Sequence, residues 1–187
     1  MITFKEYYKN KILTESPMRS GMHFGEYLDH ILLNTEETKE LLETTPSKDI
    51  DLGYFSYPMK YVREVYNEVA HDYFIDPMPS IIAYFFFKEK DNGIYIDSVW
   101  RYKTQMGLAF KILTDFYLKK YDFIVSDNKH TTQGEKLWKR IIDYGNSNGN
   151  KLSVILRDGE EIDIDDKERF WGNTQEFYDY RINIYKK

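Results

Sequence analysis

A glycine loop after an apolar strand pattern is the segment whose residue types and spacing best suit chemistry. The strand pattern covers residues 94–99, an amphipathic helix pattern covers residues 110–120, and Arg101, Lys103 and Gly107 lie between them. Backbone N–H groups at the start of a helix lack partners within it and carry the positive end of its dipole, so they attract phosphate. Gly107 has no Cβ to keep a ligand away from the backbone. The pattern predicts an anion-binding loop.

The residues after this helix repeat the order of strand, loop and helix. Residues 122–126 form a short apolar pattern typical of a buried strand, and a polar stretch that contains Asp127, Asn128 and His130 follows. A second amphipathic pattern covers residues 135–142, and we expect that helix to end at residues 143–145.

This order of elements resembles the acetyl-CoA-binding half of the GCN5-related N-acetyltransferase (GNAT) superfamily. In that family a strand leads into a pyrophosphate loop of the form Gln/Arg-x-x-Gly-x-Gly/Ala, which Gly107 and Ala109 match. A later family helix often reads Leu-Tyr-x-x-x-Gly-Phe, and residues 137–138 and, more loosely, residues 144–145 are similar to it. The resemblance covers residues 80–156, under half of the chain.

The resemblance implies an acyl-CoA-dependent N-acyltransferase that moves an acetyl group from acetyl-CoA to an amine of a small molecule or protein. Backbone N–H groups from Gln105 to Ala109 would hold the pyrophosphate. The pantetheine arm would lie in a gap between strands 94–99 and 123–126. The residues expected to contact acetyl-CoA are Val99, Arg101, Thr104, Gln105, Met106, Gly107, Leu108, Ala109, Asn128 and Trp138.

Direct attack of an amine on a thioester needs a base that takes the amine proton. Asp97, on the expected cofactor strand, is the first candidate, and strand alternation leaves open which face of the sheet it occupies. Asp127 and His130, just past the end of the next strand, are the alternatives.

Two positions depart from the family pattern and support a second hypothesis. Thr104 stands where the family has Gln or Arg, so one phosphate-facing side chain is changed. Trp138 stands where many members have the tyrosine that protonates the leaving thiolate, and an indole N–H is not a useful acid at neutral pH. The alternative is a catalytically inactive GNAT-fold protein that binds and inhibits a host protein. The 17 tyrosines favour it, because tyrosine is frequent at binding hot spots.

Patterns outside this unit predict the remaining elements. Helical patterns dominate residues 1–50, and strand patterns flank turns at residues 90–93 and 157–159. Residues 54–74 favour strand by their aromatic and valine content, although residues 59–70 also fit a helix. A last strand is expected at residues 177–185.

Together with the resemblance, these patterns predict an α/β (α+β) fold. We expect a GNAT-like mixed, mostly antiparallel twisted sheet flanked by helices, with an extra helical N-terminal segment. The chain is expected to form a single domain over residues 1–187, with the acyl-CoA-binding core at residues 80–156 and C-terminal strands at residues 151–187.

Composition excludes several classes of site and partner. The 187 residues contain no cysteine, which rules out disulfides and thiolate catalysis, and no third ligand joins His23 and His30 in a metal site. The formal charge of −5 argues against general nucleic-acid binding. No apolar run approaches the roughly 20 residues of a membrane helix, and no signal-peptide pattern opens the chain. We expect a cytoplasmic protein.

The tripeptide Leu13-Thr14-Glu15 resembles the end of the capsid-targeting segments of T4-like phages, which a prohead protease cuts after Leu-x-Glu. It follows a basic, aromatic amphipathic segment and precedes Ser16. With the acetyltransferase-like core, it suggests a phage-encoded protein of the host cytoplasm, or of the virion if Glu15 is a processing site. Mature particles would then contain chain that begins at Ser16.

Overall fold

Nine strands form one sheet within the residues that the computed structural model describes, which are 46–66, 69–76, 80–102, 104–127, 132–164 and 180–187. The predictions for residues 1–45 and 165–179, and for Asn128 and His130, lie outside this part of the chain. The helical segment predicted for residues 1–50 is wrong at its end, because Lys48–Ile50 form a strand that pairs with residues 59–61. The strands are β1 (Lys48–Ile50), β2 (Met59–Tyr66), β3 (Val69–Asp76), β4 (Ser80–Lys90), β5 (Gly93–Arg101), β6 (Phe123–Val125), β7 (Leu152–Ile155), β8 (Glu161–Asp163) and β9 (Arg181–Tyr185).

The order of the strands across the sheet is β1-β2-β3-β4-β5-β6-β9-β7-β8. Neighbouring strands are antiparallel except for β5 and β6, which run parallel. A parallel pair needs a crossover connection, and the helical segment between these two strands supplies it. The predicted mixed, mostly antiparallel sheet with flanking helices is confirmed.

The two predicted hairpins are present. In the β4–β5 turn, Asp91 and Asn92 have φ angles of 53° and 61°, the backbone that a tight two-residue turn requires. A Cβ on Gly93, the first residue of β5, would come within 2.3 Å of the Phe123 ring, so this position has room for glycine only. The second hairpin joins β7 to β8 through Gly159, whose φ is 89°.

Residues 59–66 and 69–74 lie in the paired strands β2 and β3, so the helical alternative for residues 59–70 is wrong in the described part of that range. The register sets Tyr61 opposite Phe74 and Val62 opposite Tyr73. Val62 and Tyr73 are buried on one face of the sheet, and Phe74 is buried on the other. Burial on both faces favours strands, because a surface helix buries one stripe only.

Helices follow β5 and β6. The first is α1 (Leu108–Lys111), which continues as a π-helical segment (Ile112–Tyr117) and ends as α2 (Leu118–Lys120). The second is α3 (Thr132–Asn148). Of the helices in the described ranges, none is long and apolar enough to cross a membrane.

Helix α3 is longer than predicted, because Gly145 lies inside it and does not stop it. Gly145 is buried, and a Cβ there would lie 2.9 Å from the Leu152 side chain, so its role is close packing against β7. The helix ends at Gly149, whose φ is +70°, and Asn150 N–H donates to the Gly145 carbonyl O at 2.9 Å. Gly149 therefore has the left-handed conformation common after a helix C-terminus.

The sheet has two faces, which we call the helix face and the far face. The helix face carries Phe85, Phe87 and Ile96, which belong to the apolar core shared with the helices. In that core the Tyr117 ring centroid lies 5.2 Å from that of Phe85 and 5.3 Å from that of Phe87. The far face carries the alternating residues, such as Tyr95 on β5.

Candidate functional site

Strands β5 and β6 separate soon after they begin to pair. Their parallel register ends at Tyr95↔Val125, whereas β5 continues to Arg101. Ser126 turns the chain towards β9: its N–H donates to Ile182 O at 2.8 Å, and its Oγ accepts from Ile182 N–H at 2.9 Å. Among the described strands, the later part of β5 is therefore paired with β4 alone. A wedge opens along its other edge, at the position where a gap was predicted.

Asp97 lies in a β-bulge of β5 where this wedge begins. Phe87 pairs with Ile96 and Phe86 pairs with Ser98, so Asp97 is the extra residue. Its side chain is half-buried and lines a cavity on the far face. Strand alternation left open which face of the sheet Asp97 occupies, and the structure places its side chain on the far face, away from the helices. Bulges often redirect side chains next to active sites.

Asp97, Asp127 and Arg181 occupy matching positions on three neighbouring segments of chain. Asp97 is two residues past Tyr95 and Asp127 is two residues past Val125, with which Tyr95 pairs. Val125 pairs in turn with Asn183, two residues after Arg181. Strand alternation thus brings the three charged residues into one row across the mouth of the wedge.

The charges of this row influence the pKa of Asp127. Burial is the main cause that raises the pKa of Asp127 to about 7. The positive charge of Arg181 lowers this pKa, and the negative charge of Asp97 raises it. The Arg181 guanidinium also lies 3.5 Å from the Ser126 carbonyl O, which holds it over the end of β6. A carboxyl group with such a pKa exchanges a proton near neutral pH.

The far-face cavity beside this row has a volume of about 760 Å³. That is within the usual size of a small-molecule site, roughly 300–1,000 Å³. Its lining mixes charges of both signs with one phenol. The lining residues that matter for recognition are Lys88, Tyr95, Asp97, Arg157, Glu161 and Arg181.

At the other end of β5, the glycine loop presents backbone N–H groups. Gly107 is the N-cap of α1, with a left-handed φ of 81°. The N–H groups of Leu108 and Lys111 donate to Gln105 O (3.2 Å) and Gly107 O (3.0 Å). Those of Ala109 and Phe110 have no acceptor among the described residues. The first turn of the helix thus keeps donors for an anion.

Arg140 of α3 reaches this loop from outside it. Its guanidinium carbon lies 4.2 Å from the centroid of the Phe110 ring, a cation–π contact. Its Nη1 would be 3.5 Å from a Cβ on Gly107. Tyr54, whose hydroxyl donates to the Met106 carbonyl O, lies on the same side of the loop. A positive charge therefore stands beside Gly107, although Thr104 replaces the expected Gln or Arg.

The structure separates the other predicted cofactor contacts into exposed and buried groups. Thr104 is exposed, as is Met106, with 73% of its surface accessible. Leu108 and Ala109 are buried in the core, so only their backbone can meet a ligand. Trp138 is also in the core, at 2% exposure. Val99 and Gln105 are half-buried, and Arg101 donates to the Tyr102 carbonyl O at 3.2 Å.

Sequence reasoning missed Tyr95, Arg181 and Arg140. Tyr95 could have been found, since alternation puts it on the same face as Asp97. Arg181 enters the site through the pairing of β9 with β6, and Arg140 through the packing of α3 beside α1. Neither contact has a local signal. Within the described ranges, no group of three or more His, Cys, Asp and Glu side chains could hold a metal ion.

Comparison with known proteins finds similarity among solved structures only. No protein-family model matches the chain, and no curated protein matches its sequence. Among solved structures, the chain is similar to a protein from Bacteroides thetaiotaomicron assigned to the GNAT family of acetyltransferases, with 11% identity and a TM-score of 0.37. The match covers 65% of this chain and 63% of that one. The predicted phage origin gains no support from these comparisons and stays a prediction.

Proposed function

We propose that this chain is an N-acyltransferase that transfers the acetyl group of acetyl-CoA to an amine. The observation that carries the proposal is the wedge beside β5. One end of the wedge holds the row Asp97–Asp127–Arg181, and β5 leads from there to the glycine loop. Asp97 and Arg101 are four residues apart, so the strand alone covers about 13 Å between the two ends.

The wedge suits an extended chain with amide groups. Past Tyr95, one edge of β5 has β4 as its partner and the other edge faces the wedge. A pantetheine arm contains two amides, which can bond to a strand edge as an added strand does. We therefore expect the arm to lie along the edge of β5 between Asp97 and Arg101.

The glycine loop suits a pyrophosphate. The N–H groups of Ala109 and Phe110 point to the space before the helix, and the helix dipole adds positive potential. Arg140 supplies a full positive charge beside Gly107. Because Gly107 has a φ of 81° and Arg140 lies close to it, a side chain at this position would be both strained and in the way.

The row of charges suits the chemistry of the amine. Acetyl-CoA supplies a thioester, whose carbonyl carbon bonds to the amine nitrogen as the carbon–sulfur bond breaks. CoA leaves as its thiolate and takes up a proton from solvent. Asp97 attracts the ammonium form of the acceptor. Asp127 accepts the proton that the nitrogen must lose, because a pKa of about 7 lets it do so at neutral pH. The positive charge of Arg181 limits the rise of the pKa of Asp127.

Isothermal titration with acetyl-CoA tests the cofactor half of the proposal. We expect micromolar binding by the natural chain and at least tenfold weaker binding by Gly107→Trp. The matched control is Gly53→Trp, since Gly53 also has a positive φ (61°) but has open space around it. Equal loss in both variants would show a general folding defect. No binding by the natural chain would refute the proposal.

A further inference from the structure

We propose that Tyr117, which donates a hydrogen bond to Asp72, is a positioning residue for the glycine loop. The bond fixes the rotation of the helix that covers residues 108–120, and therefore the direction in which its first N–H groups face. The inference rests on the proposed function, which supplies the ligand of this loop. Its evidence is the hydrogen-bond pattern of the helix and the contacts of two of its tyrosines.

The helix changes its hydrogen-bond pattern in the middle. Near its start, the N–H of Ile112 donates to the carbonyl O four residues earlier. Leu118 N–H donates to Leu113 O, five residues earlier, as in a π-helix. Tyr121 N–H again donates four residues back, at 2.8 Å. The π-helical segment therefore holds an extra residue between two α-helical turns.

Burial follows the same change of spacing. Leu108, Ile112, Tyr117 and Tyr121 are all buried in the core, at intervals of four, five and four residues. In an unbroken α-helix, where each residue adds about 100° of rotation, Tyr117 would face roughly 180° away from Leu108. The π-helical segment corrects this difference. It lets the residues next to the glycine loop and the two tyrosines meet the same core.

Two hydroxyl groups fix the later half of the helix to the sheet. Tyr117 OH donates to Asp72 Oδ2 of β3 at 2.7 Å, inside the core. One turn later, Tyr121 OH donates to Glu89 of β4 and accepts from Arg63 Nη1 of β2 at 3.0 Å. Hydrogen bonds to carboxylates and guanidinium groups are strong, and burial strengthens them further. The helix cannot rotate about its axis without breaking these bonds.

The helix connects this anchor to the glycine loop. Gly107 precedes Tyr117 by ten residues, so about 15 Å of helix separates the loop from the bond to Asp72. Successive turns are hydrogen-bonded to one another, so a rotation at one end is transmitted to the other. The anchor therefore sets the direction of the Ala109 and Phe110 N–H groups, which the proposed function gives to the pyrophosphate. Tyr117 acts on the ligand through the loop.

Tyr117→Phe and Tyr61→Phe test this inference as a matched pair. Each removes one hydroxyl that donates to Asp72 Oδ2, but only Tyr117 belongs to the helix. The full chains are titrated calorimetrically with acetyl-CoA at a temperature where all are folded. We expect Tyr117→Phe to bind about fivefold more weakly or worse, and Tyr61→Phe to stay within about twofold of the natural chain. Equal affinities of the two variants would overturn the inference, because a loss of stability alone affects both.

Deletion of Asp115 tests the extra residue itself. Asp115 is half-buried in the π-helical segment, and its carboxylate pairs with Lys111 at 3.2 Å. Without it the segment can close as an α-helix, with Tyr117 still at Asp72 and the glycine loop rotated. We expect acetyl-CoA affinity to fall about tenfold or more in the deletion. Asp115→Ala, which keeps the number of residues, should bind as the natural chain does. A folded deletion variant of full affinity would contradict the inference.

Amide NMR spectra of the ligand-free chains separate this inference from the proposed function. The resonances of residues 107–110 should shift in Tyr117→Phe, about 15 Å from the substitution, and stay in place in Tyr61→Phe. If they do so but acetyl-CoA does not bind to the natural chain, the positioning role stands and acyl transfer is wrong. If acetyl-CoA binds but the two variants give equal shifts or none, the positioning role is wrong and the acyltransferase stands.

Discussion

Two aspartates show how local surroundings decide what one residue type does in this chain. Asp127 lies beside Asp97 and Arg181, which line a cavity, and its pKa of about 7 suits proton exchange. Asp72 lies on the helix face, fully buried, where it accepts hydrogen bonds from the hydroxyls of Tyr61 and Tyr117 at 2.9 and 2.7 Å. Asp127 has the environment of a base, and Asp72 that of a structural anchor.

Replacement of Asp127 separates catalysis from stability. In Asp127→Asn we expect kcat to fall at least about 100-fold, since general bases contribute roughly 10²–10⁴. The rate of acetyl transfer by the natural chain should rise as the pH rises through about 7, and the variant should lose this rise. Steady-state rates of CoA release between pH 5 and 9 measure both effects.

The same replacement should make the fold more stable at alkaline pH. The pKa of Asp127 is raised above its unfolded value, so its protonated form stabilises the fold, and that contribution is lost between about pH 4 and pH 7. An amide carries no charge to bury, so urea unfolding at pH 8 should show Asp127→Asn more stable by on the order of 1 kcal/mol. Exposed Asp49→Asn is the control. A variant of unchanged activity would remove Asp127 from the mechanism.

Removal of Asp72 should destabilise the fold strongly. Burial raises its pKa, while the Tyr117 hydroxyl, the Arg63 charge and the Tyr61 hydroxyl lower it again, and Arg63 Nε lies 3.7 Å from its Oδ1. Asp72→Ala would leave the buried Tyr117 hydroxyl and the half-buried Tyr61 hydroxyl without their acceptor, and Arg63 would keep Glu89 as its ion-pair partner, at a cost of about 3 kcal/mol. Tyr61→Phe, which removes one bond, should cost about 1 kcal/mol. Denaturant unfolding measures both, and equal effects of the two changes would contradict the network.

At the scale of elements, the turn before β5 and the start of β6 are locked together. A Cβ on Gly93 would overlap the Phe123 ring, which covers this position. Phe123 also contacts the Tyr95 ring, at a centroid distance of 5.8 Å. The packing of one aromatic residue on one glycine therefore holds β5 and β6 together just before they diverge.

A double-mutant cycle tests this contact. Gly93→Ala should cost about 1–3 kcal/mol of unfolding free energy in the natural background, as overpacking does. In the Phe123→Ala background the same change should cost under about 0.5 kcal/mol, since the obstructing ring is gone. Urea unfolding of the four chains measures the coupling. Equal costs in both backgrounds would show that the cost of Gly93→Ala does not come from the ring.

At the scale of the whole molecule, the negative net charge of −5 conceals a local positive site. Arg140 is on α3 and Gly107 precedes α1, 33 positions earlier in the sequence. They meet because α1 and α3 lie side by side on the helix face, where the Arg140 guanidinium packs on the Phe110 ring. A polyanionic ligand can therefore bind to a chain that is acidic overall.

Arg140→Gln should weaken acetyl-CoA binding about tenfold, the loss of one charge-assisted contact. The affinity of the natural chain should also fall more steeply with salt than that of the variant, because salt screens the lost interaction. Calorimetric titration at low and physiological salt measures both. Lys136→Gln, one turn away on the same helix, is the charge-matched control and should bind as the natural chain does. A variant with full affinity would place the phosphates elsewhere.

Most of the fold prediction was based on turn residues and on the periodicity of apolar residues. The β4–β5 and β7–β8 hairpins, the short β6 strand and the helix after Gly107 all depend on residues close together in sequence. The helical alternative for residues 59–70 and the stop at residues 143–145 failed for one reason. In both places burial against distant residues decides the outcome: β3 and β4 for the first, Leu152 for the second.

The sequence by itself determined which local elements form and which residues carry the charges, including Asp97, Asp127 and the glycine loop. Only the tertiary structure decided which of these residues meet. The row Asp97–Asp127–Arg181 exists because β6 pairs in parallel with β5 and antiparallel with β9. Arg140 reaches Gly107 only through helix packing. Such contacts depend on the burial of apolar faces across the whole sheet, and a local pattern contains no record of that arrangement.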